Sequence, residues 1–187
     1  MNRLPRRPLL WSSLLCATSA LAVVVALGAA ASPGGPSPAP ATATVAAVAV
    51  EPQPLPYPYA IAARIGPWGF PTRYATDYVA WRLFERDVAF SSDMSGPSGK
   101  RGHFGDPGTW AATAAGIGLT VDNVPRAGAI AQWKGGEQGA GADGHVAYVE
   151  RVNPDGSVVI SEFDWDVEHG YSQRGAVRAP RYIHVQD

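Results

Sequence analysis

The sequence predicts an α+β domain in which N-terminal helices pack on a small antiparallel β-sheet. Apolar residues recur at spacings of three and four over Ala75, Tyr78, Val79 and Leu83, which is one face of a helix. The short β-branched or aromatic runs come later, separated by Gly, Pro, Asn and Asp. Two of them, 145–152 and 157–164, flank Asn153-Pro154-Asp155-Gly156, and Asp-Gly is a strong hairpin signal. Helices followed by strands, rather than alternating with them, point to α+β.

In chain order, Arg3, Arg6 and Arg7 precede an uncharged run over 9–31 that closes on Ala29, Ala30 and Ala31. That is the pattern of an export signal over residues 1–31, or of a membrane anchor if it stays uncleaved. Cys16 lies inside this run and would leave with it. Residues 32–58 form an Ala/Pro-rich linker, because prolines up to Pro52, Pro54, Pro56 and Pro58 oppose both helix and sheet. Residues 59–187 are expected to be the folded domain. Thr72 is a candidate N-cap for the first helix. The Gly-, Ser- and Pro-rich stretch 91–108 predicts a mobile loop, and Thr109 a cap for a short helix that runs through Ala115 and is ended by Gly116. Strands are expected over 127–133, 145–152, 157–163 and 181–185.

Side chains alternate faces along a strand, so a four-residue turn pairs odd positions of the first hairpin strand with even positions of the second. His145, Ala147 and Val149 then share a face with Ile160, Glu162 and Asp164. His145 falls opposite Asp164 and diagonal to Glu162, and a bulge at the turn would reverse this parity. An imidazole beside a carboxylate can serve as a base whose tautomer the acid fixes. Such a pair needs a nucleophile, best placed at a helix N-terminus.

Composition narrows the function. The formal net charge is −1. Loss of residues 1–31 removes three of fifteen basic residues and no acid, leaving twelve against sixteen and a balance of −4. No polybasic surface is available for nucleic acid. The single cysteine excludes an intramolecular disulfide and a four-thiolate metal centre.

The segments Tyr74-Ala75-Thr76-Asp77-Tyr78-Val79, GDPGTWA (105–111), VPRAGAIAQW (124–133), GHVAYVE (144–150) and ISEFD (160–164) occur in an order that resembles the CHAP domain family, cysteine- and histidine-dependent amidohydrolases/peptidases of papain-like fold. The resemblance implies a papain-like α+β fold, His145 as catalytic base and Glu162 as its orienting acid. Asp164 stands where the family commonly has asparagine, Tyr74 where it has glutamine, and Ala75 at the nucleophile itself. Thiol catalysis is therefore excluded in the exported chain, and the site is read as vestigial, with Tyr74, Thr76 and Trp68 along the binding groove. The expected geometry has the Ala75 methyl facing the imidazole across that groove. The expected partner is peptidoglycan or a cell-wall peptide, with no cofactor, no metal and a monomeric chain.

Two other readings stay open: a peptidoglycan hydrolase using a different nucleophile, and a non-catalytic surface interaction protein. Thr76 and Thr72 are the nearest hydroxyls, but Thr76 follows Ala75 by about 100° around the helix and is expected to point elsewhere. Asp143-Gly144-His145 with Glu162 has no diagnostic metal-ligand spacing. His103 is expected to be solvated, and His169 and His184, for which spacing identifies no acidic or thiol partner, to be surface or packing residues. Trp68, Trp110, Trp133 and Trp165 have either core or glycan-stacking roles at these spacings.

Overall fold

The computed structural model describes residues 57–60 and 62–186, so the expectations for 1–31 and for the linker up to residue 56 lie outside the described residues. The folded domain begins earlier than the sequence suggests. Tyr57, assigned to the linker, is buried, and its ring packs on Tyr59, Tyr78, Trp81 and Phe163 at 5.0–5.8 Å between centroids. Its neighbouring prolines restrict the backbone but do not prevent an aromatic side chain from docking in a core.

Helix α1 spans Ala75–Phe84 and buries most of its residues, including Tyr78, Val79 and Leu83. Its N-cap position is Tyr74, and no side chain caps it. Thr72, expected to do so, donates instead to the Ala62 carbonyl at 2.5 Å and accepts from the Arg64 amide at 3.0 Å. The hydroxyl thus satisfies the backbone of the preceding segment. Residues 91–108 are not an unstructured loop either. They contain a two-stranded hairpin, β1 (Asp93–Ser95) with β2 (Arg101–His103), and a 3-10 turn at Pro107–Thr109. Phe90, Phe104 and Trp110 anchor its base through mutual ring contacts at 4.9–5.6 Å. Helix α2 follows over Trp110–Gly116.

The remaining strands are β3 (Thr120–Asp122), β4 (Ile130–Trp133), β5 (His145–Val152), β6 (Val158–Phe163), β7 (Tyr171–Val177) and β8 (Arg181–His184). They form one antiparallel sheet in the order β3-β8-β4-β5-β6-β7. Ile130, Val146, Tyr148, Phe163 and Ile183 join the helices in the larger core cluster. Alternate residues, among them Ala131, Trp133, Ala147, Val149 and Ile160, form a second cluster on the opposite face. This is the period-2 alternation of a sheet covered on both faces.

The β5–β6 hairpin reaches the expected register by a different route. Near the turn Val152 pairs with Val158 and Arg151 with Val159, one residue away from the four-residue-turn register. Gly156, at φ 78°, and the Asn153 amide donating to the Ser157 carbonyl shorten the connection. Glu150 then bulges, so Val149 pairs with Ile160 and Tyr148 with Ser161. The two offsets cancel, and beyond the bulge the pairing is the one that places His145 diagonal to Glu162. The bulged Glu150 accepts two bonds from Arg82 of α1, at 2.8 and 2.7 Å, and one from Ser161 at 2.7 Å.

Beneath α1, Tyr57 donates to Asp77 Oδ2 at 2.5 Å, while Asp77 Oδ1 is buried without a partner. Burial raises the Asp77 pKa to about 6 against the opposing influence of the Tyr57 hydrogen bond and the Arg64 charge. Between about pH 4 and 6 the folded chain retains a proton that the unfolded chain has released. Stability therefore falls as pH rises through that window, by up to about 3 kcal/mol. Asp77→Asn is expected to flatten this slope in urea unfolding series at pH 4, 5, 6 and 7, and an unchanged slope would assign the effect to another group.

Candidate functional site

His145 opens β5, and its backbone is positioned by Gly144, which has φ 83°. A Cβ at Gly144 would lie 2.5 Å from both Gly108 Cα and the Trp133 carbonyl oxygen, so only glycine permits this close passage. The His145 ring is 4% exposed and packs against Trp165 and Trp133 at centroid distances of 4.6 and 5.9 Å. Its Nε2 meets Glu162 Oε2 at 2.9 Å.

Glu162 is fully buried and is approached diagonally from both neighbouring strands. On the β7 side Ser172 pairs with it, and Arg174, two residues along, donates Nε to Oε1 at 2.6 Å and Nη2 to Oε2 at 2.9 Å. Ser172 Oγ adds a longer bond of 3.3 Å. Burial alone would raise the Glu162 pKa, but the bonds from His145 and Arg174 outweigh it and hold the carboxyl below its ordinary value. An ionised carboxylate only accepts, so it fixes Nε2–H on the imidazole and leaves Nδ1 as the second ring nitrogen. Among the described residues Nδ1 has no hydrogen-bond partner. The Arg174 guanidinium in turn lies 4.1 Å from the Trp165 ring centroid, so the indole covers the pair.

His145 lines a cavity of about 940 Å³ together with Ala75, Thr76 and Tyr74. Ala75 is the first residue of α1, and with no capping side chain the first-turn N–H groups carry the positive end of the helix dipole. Thr76, assigned to the groove although it follows Ala75 by about 100° around the helix, lines the cavity as well. Tyr74 is 44% exposed and stands edge-on to His169 at 5.1 Å. Trp68 is not at the cavity: it is 2% exposed and packs between Tyr59 and Phe84. Trp110 and Trp133 are likewise core residues, whereas Trp165 reaches the cavity wall.

Asp164 lines the cavity without joining His145. Strand β6 ends at Phe163, and Asp164 turns to φ 63°, where its Oδ1 accepts the His169 backbone amide at 2.7 Å. The left-handed turn breaks the alternation on which the His145–Asp164 pairing depended. Oδ1 also lies 3.4 Å from His169 Nδ1, and His184 Nε2 lies 3.0 Å from Asp122 Oδ1, so both histidines have acidic partners that strand spacing did not reveal. His103 is exposed and bonds Asp93 at 3.0 Å. Among the described residues no group of three His, Cys, Asp or Glu side chains is arranged to hold a metal ion. Arg174 was missed altogether, because Tyr171–Val177 contains Gly175 and little alternation. Its two-residue offset from a strand partner of Glu162 becomes readable only once β7 is known.

A helix whose first turn shares a cavity with a His–Glu pair on an antiparallel sheet is the framework of the papain-like α+β domains. Within that class the chain belongs to the CHAP domain family, whose profile matches residues 65–164. The chain is 38% identical over 92 residues to the probable autolysin SsaALP of Staphylococcus aureus (strain NCTC 8325 / PS 47), covering 49% of this chain and 31% of the relative. It is 34% identical over 97 residues to the N-acetylmuramoyl-L-alanine amidase sle1 of Staphylococcus epidermidis, covering 52% and 26%. Over 62 residues it is 50% identical to the staphylococcal secretory antigen ssaA2 of Staphylococcus aureus, covering 33% and 21%. The chain thus spans less than a third of the length of these curated relatives. A crystal structure of an N-acetylmuramoyl-L-alanine amidase from Staphylococcus aureus superposes with a TM-score of 0.50 at 31% identity, over 60% of this chain and 31% of that one.

Proposed function

We propose that this chain is an exported CHAP-domain protein that binds peptidoglycan peptides, or a cell-wall partner, without hydrolysing them. The observation that carries this reading is the methyl group of Ala75 at the first position of α1, lining one cavity with His145, whose Nε2 is bonded to the buried Glu162. A methyl cannot attack a carbonyl, and residues 57–186 contain no cysteine. Binding needs only the concave shape and its polar groups, and the cavity has a volume typical of small-ligand sites. The names of the relatives, autolysin, amidase and secretory antigen, support a wall-directed and exported role, as does the uncharged run over 9–31.

The presence of Thr76 at the cavity wall favours a second reading, hydrolysis by a hydroxyl nucleophile. Incubating the purified chain with insoluble peptidoglycan separates the two. Sedimentation with the wall and no release of soluble peptides is the expected result. Release abolished by Thr76→Val would establish the second reading, and neither binding nor release would overturn both.

A further inference from the structure

Four acids on the sheet and its loops are paired with arginines: Glu150 with Arg82, Glu162 with Arg174, Glu137 with Arg181, and Asp155 with Arg178. The cavity departs from this pattern. Asp106, Asp143 and Asp164 line it, and among the described residues no lysine or arginine does. The Asp106 and Asp143 carboxylates make no ion pair or hydrogen bond among the described residues, while Asp164 receives the His169 amide and faces its ring at 3.4 Å. The remaining titratable groups on the walls are His103, bonded to Asp93, His145 and Tyr74.

A second observation has the same chemical sense. The His145 ring is almost completely buried, with Nε2 committed to Glu162. Because Glu162 is held ionised by Arg174, the proton of a neutral imidazole resides on Nε2. Nδ1 has no partner among the described residues and is not among the buried unpartnered atoms, so its lone pair stays open to the cavity that His145 lines, where the Ala75 methyl supplies no donor. Three carboxylates and an unused acceptor outweigh the positive end of α1 at this cavity and make it complementary to a ligand that donates hydrogen bonds and carries positive charge.

Resting on the wall-binding reading, we propose that this cavity recognises a wall peptide through a free primary ammonium group, such as the side-chain amine of a diamino acid not consumed by cross-linking. The ammonium sits in the field of Asp106, Asp143 and Asp164, with His145 Nδ1 available as acceptor. The volume of about 940 Å³ exceeds what an ammonium requires and accommodates neighbouring peptide residues. An acylated amine loses the charge and two of its three donors, and so loses the feature that the cavity selects.

The test uses the full chain and two synthetic lysine-containing wall tetrapeptides, both N-terminally acetylated, one with a free Nε amine and the other Nε-acetylated. Calorimetry is expected to show at least about tenfold weaker binding of the acetylated peptide, the loss associated with one charge-assisted hydrogen bond. The free-amine affinity should fall as salt is raised from 50 to 500 mM. Asp106→Asn/Asp143→Asn, two exposed positions, should weaken the free-amine peptide and so narrow its advantage over the acetylated one. Equal binding of both peptides, or binding of whole peptidoglycan with neither peptide bound, overturns amine recognition while leaving the wall-binding reading intact. Failure to bind peptidoglycan itself overturns both.

Discussion

Ala75→Cys is expected to release soluble peptides from peptidoglycan, and the natural chain is expected to release none. The substitution places a thiol at the first residue of α1, on the wall of the cavity that His145 also lines. It adds one sulfur next to open space, so the fold should tolerate it, with a cost of about 1–3 kcal/mol only if neighbouring side chains close over the methyl. The uncapped helix terminus and the imidazole both favour a thiolate. Removing the nucleophile from a triad hydrolase costs about 10⁶ in kcat. Recovery of even a thousandth of that would raise release about 10³-fold. Full recovery is not expected, because Tyr74, where the family resemblance implies a glutamine, offers no amide donor. Release should vanish in Ala75→Cys/His145→Ala. Iodoacetamide alkylation against pH should show a thiol titrating below about 8.5 and dependent on His145. An ordinary exposed thiol, indifferent to His145, would mean that the cavity no longer holds a catalytic arrangement.

The second large effect is on stability. Arg174→Ala leaves the fully buried Glu162 carboxylate with His145 and the 3.3 Å Ser172 bond as its remaining partners. Breaking a buried ion pair on one side typically costs about 3–5 kcal/mol. About 3 kcal/mol is expected at pH 7, since two partners persist. The pH dependence has a definite sign. The folded Glu162 pKa is depressed from 4.5, so its contribution is complete above about pH 4.5 and is lost as pH falls through the lower folded value. The gap in urea midpoint between wild type and Arg174→Ala should therefore be widest at neutral pH and narrow in acid. Equal midpoints at pH 7 would show that Arg174 does not stabilise the pair, and Arg174→Ala/Glu162→Gln would isolate the coupling.

What was legible in the sequence followed the strength of the local signal. The His145–Val152 and Val158–Phe163 strands are rich in β-branched and aromatic residues and bracket Asp-Gly, so their pairing and the His145–Glu162 diagonal were readable. Thr120–Asp122, Asp93–Ser95 and Arg101–His103 are three residues each, too short for periodicity to register. Tyr171–Val177 is an edge strand whose burial is nowhere complete, and without alternation its Arg174 had no visible address. Asp164 and Trp68 were misplaced for other reasons. A left-handed residue at a strand end leaves no mark in hydropathy, and a tryptophan has the same letter in a core as on a groove wall.

The cancelling offsets of the β5–β6 hairpin couple two lengths that look independent in the chain. Deleting one residue from the 153–157 turn, with Glu150 retained, would slide the inner half of β5 by one position against β6. Every side chain from His145 to Val149 would then exchange faces. Deleting Glu150 alone would do the same and would also remove the partner of Arg82 on α1. Insertions and deletions at the two places can be accommodated only as matched pairs, so loop length here is inherited together with the strand above it.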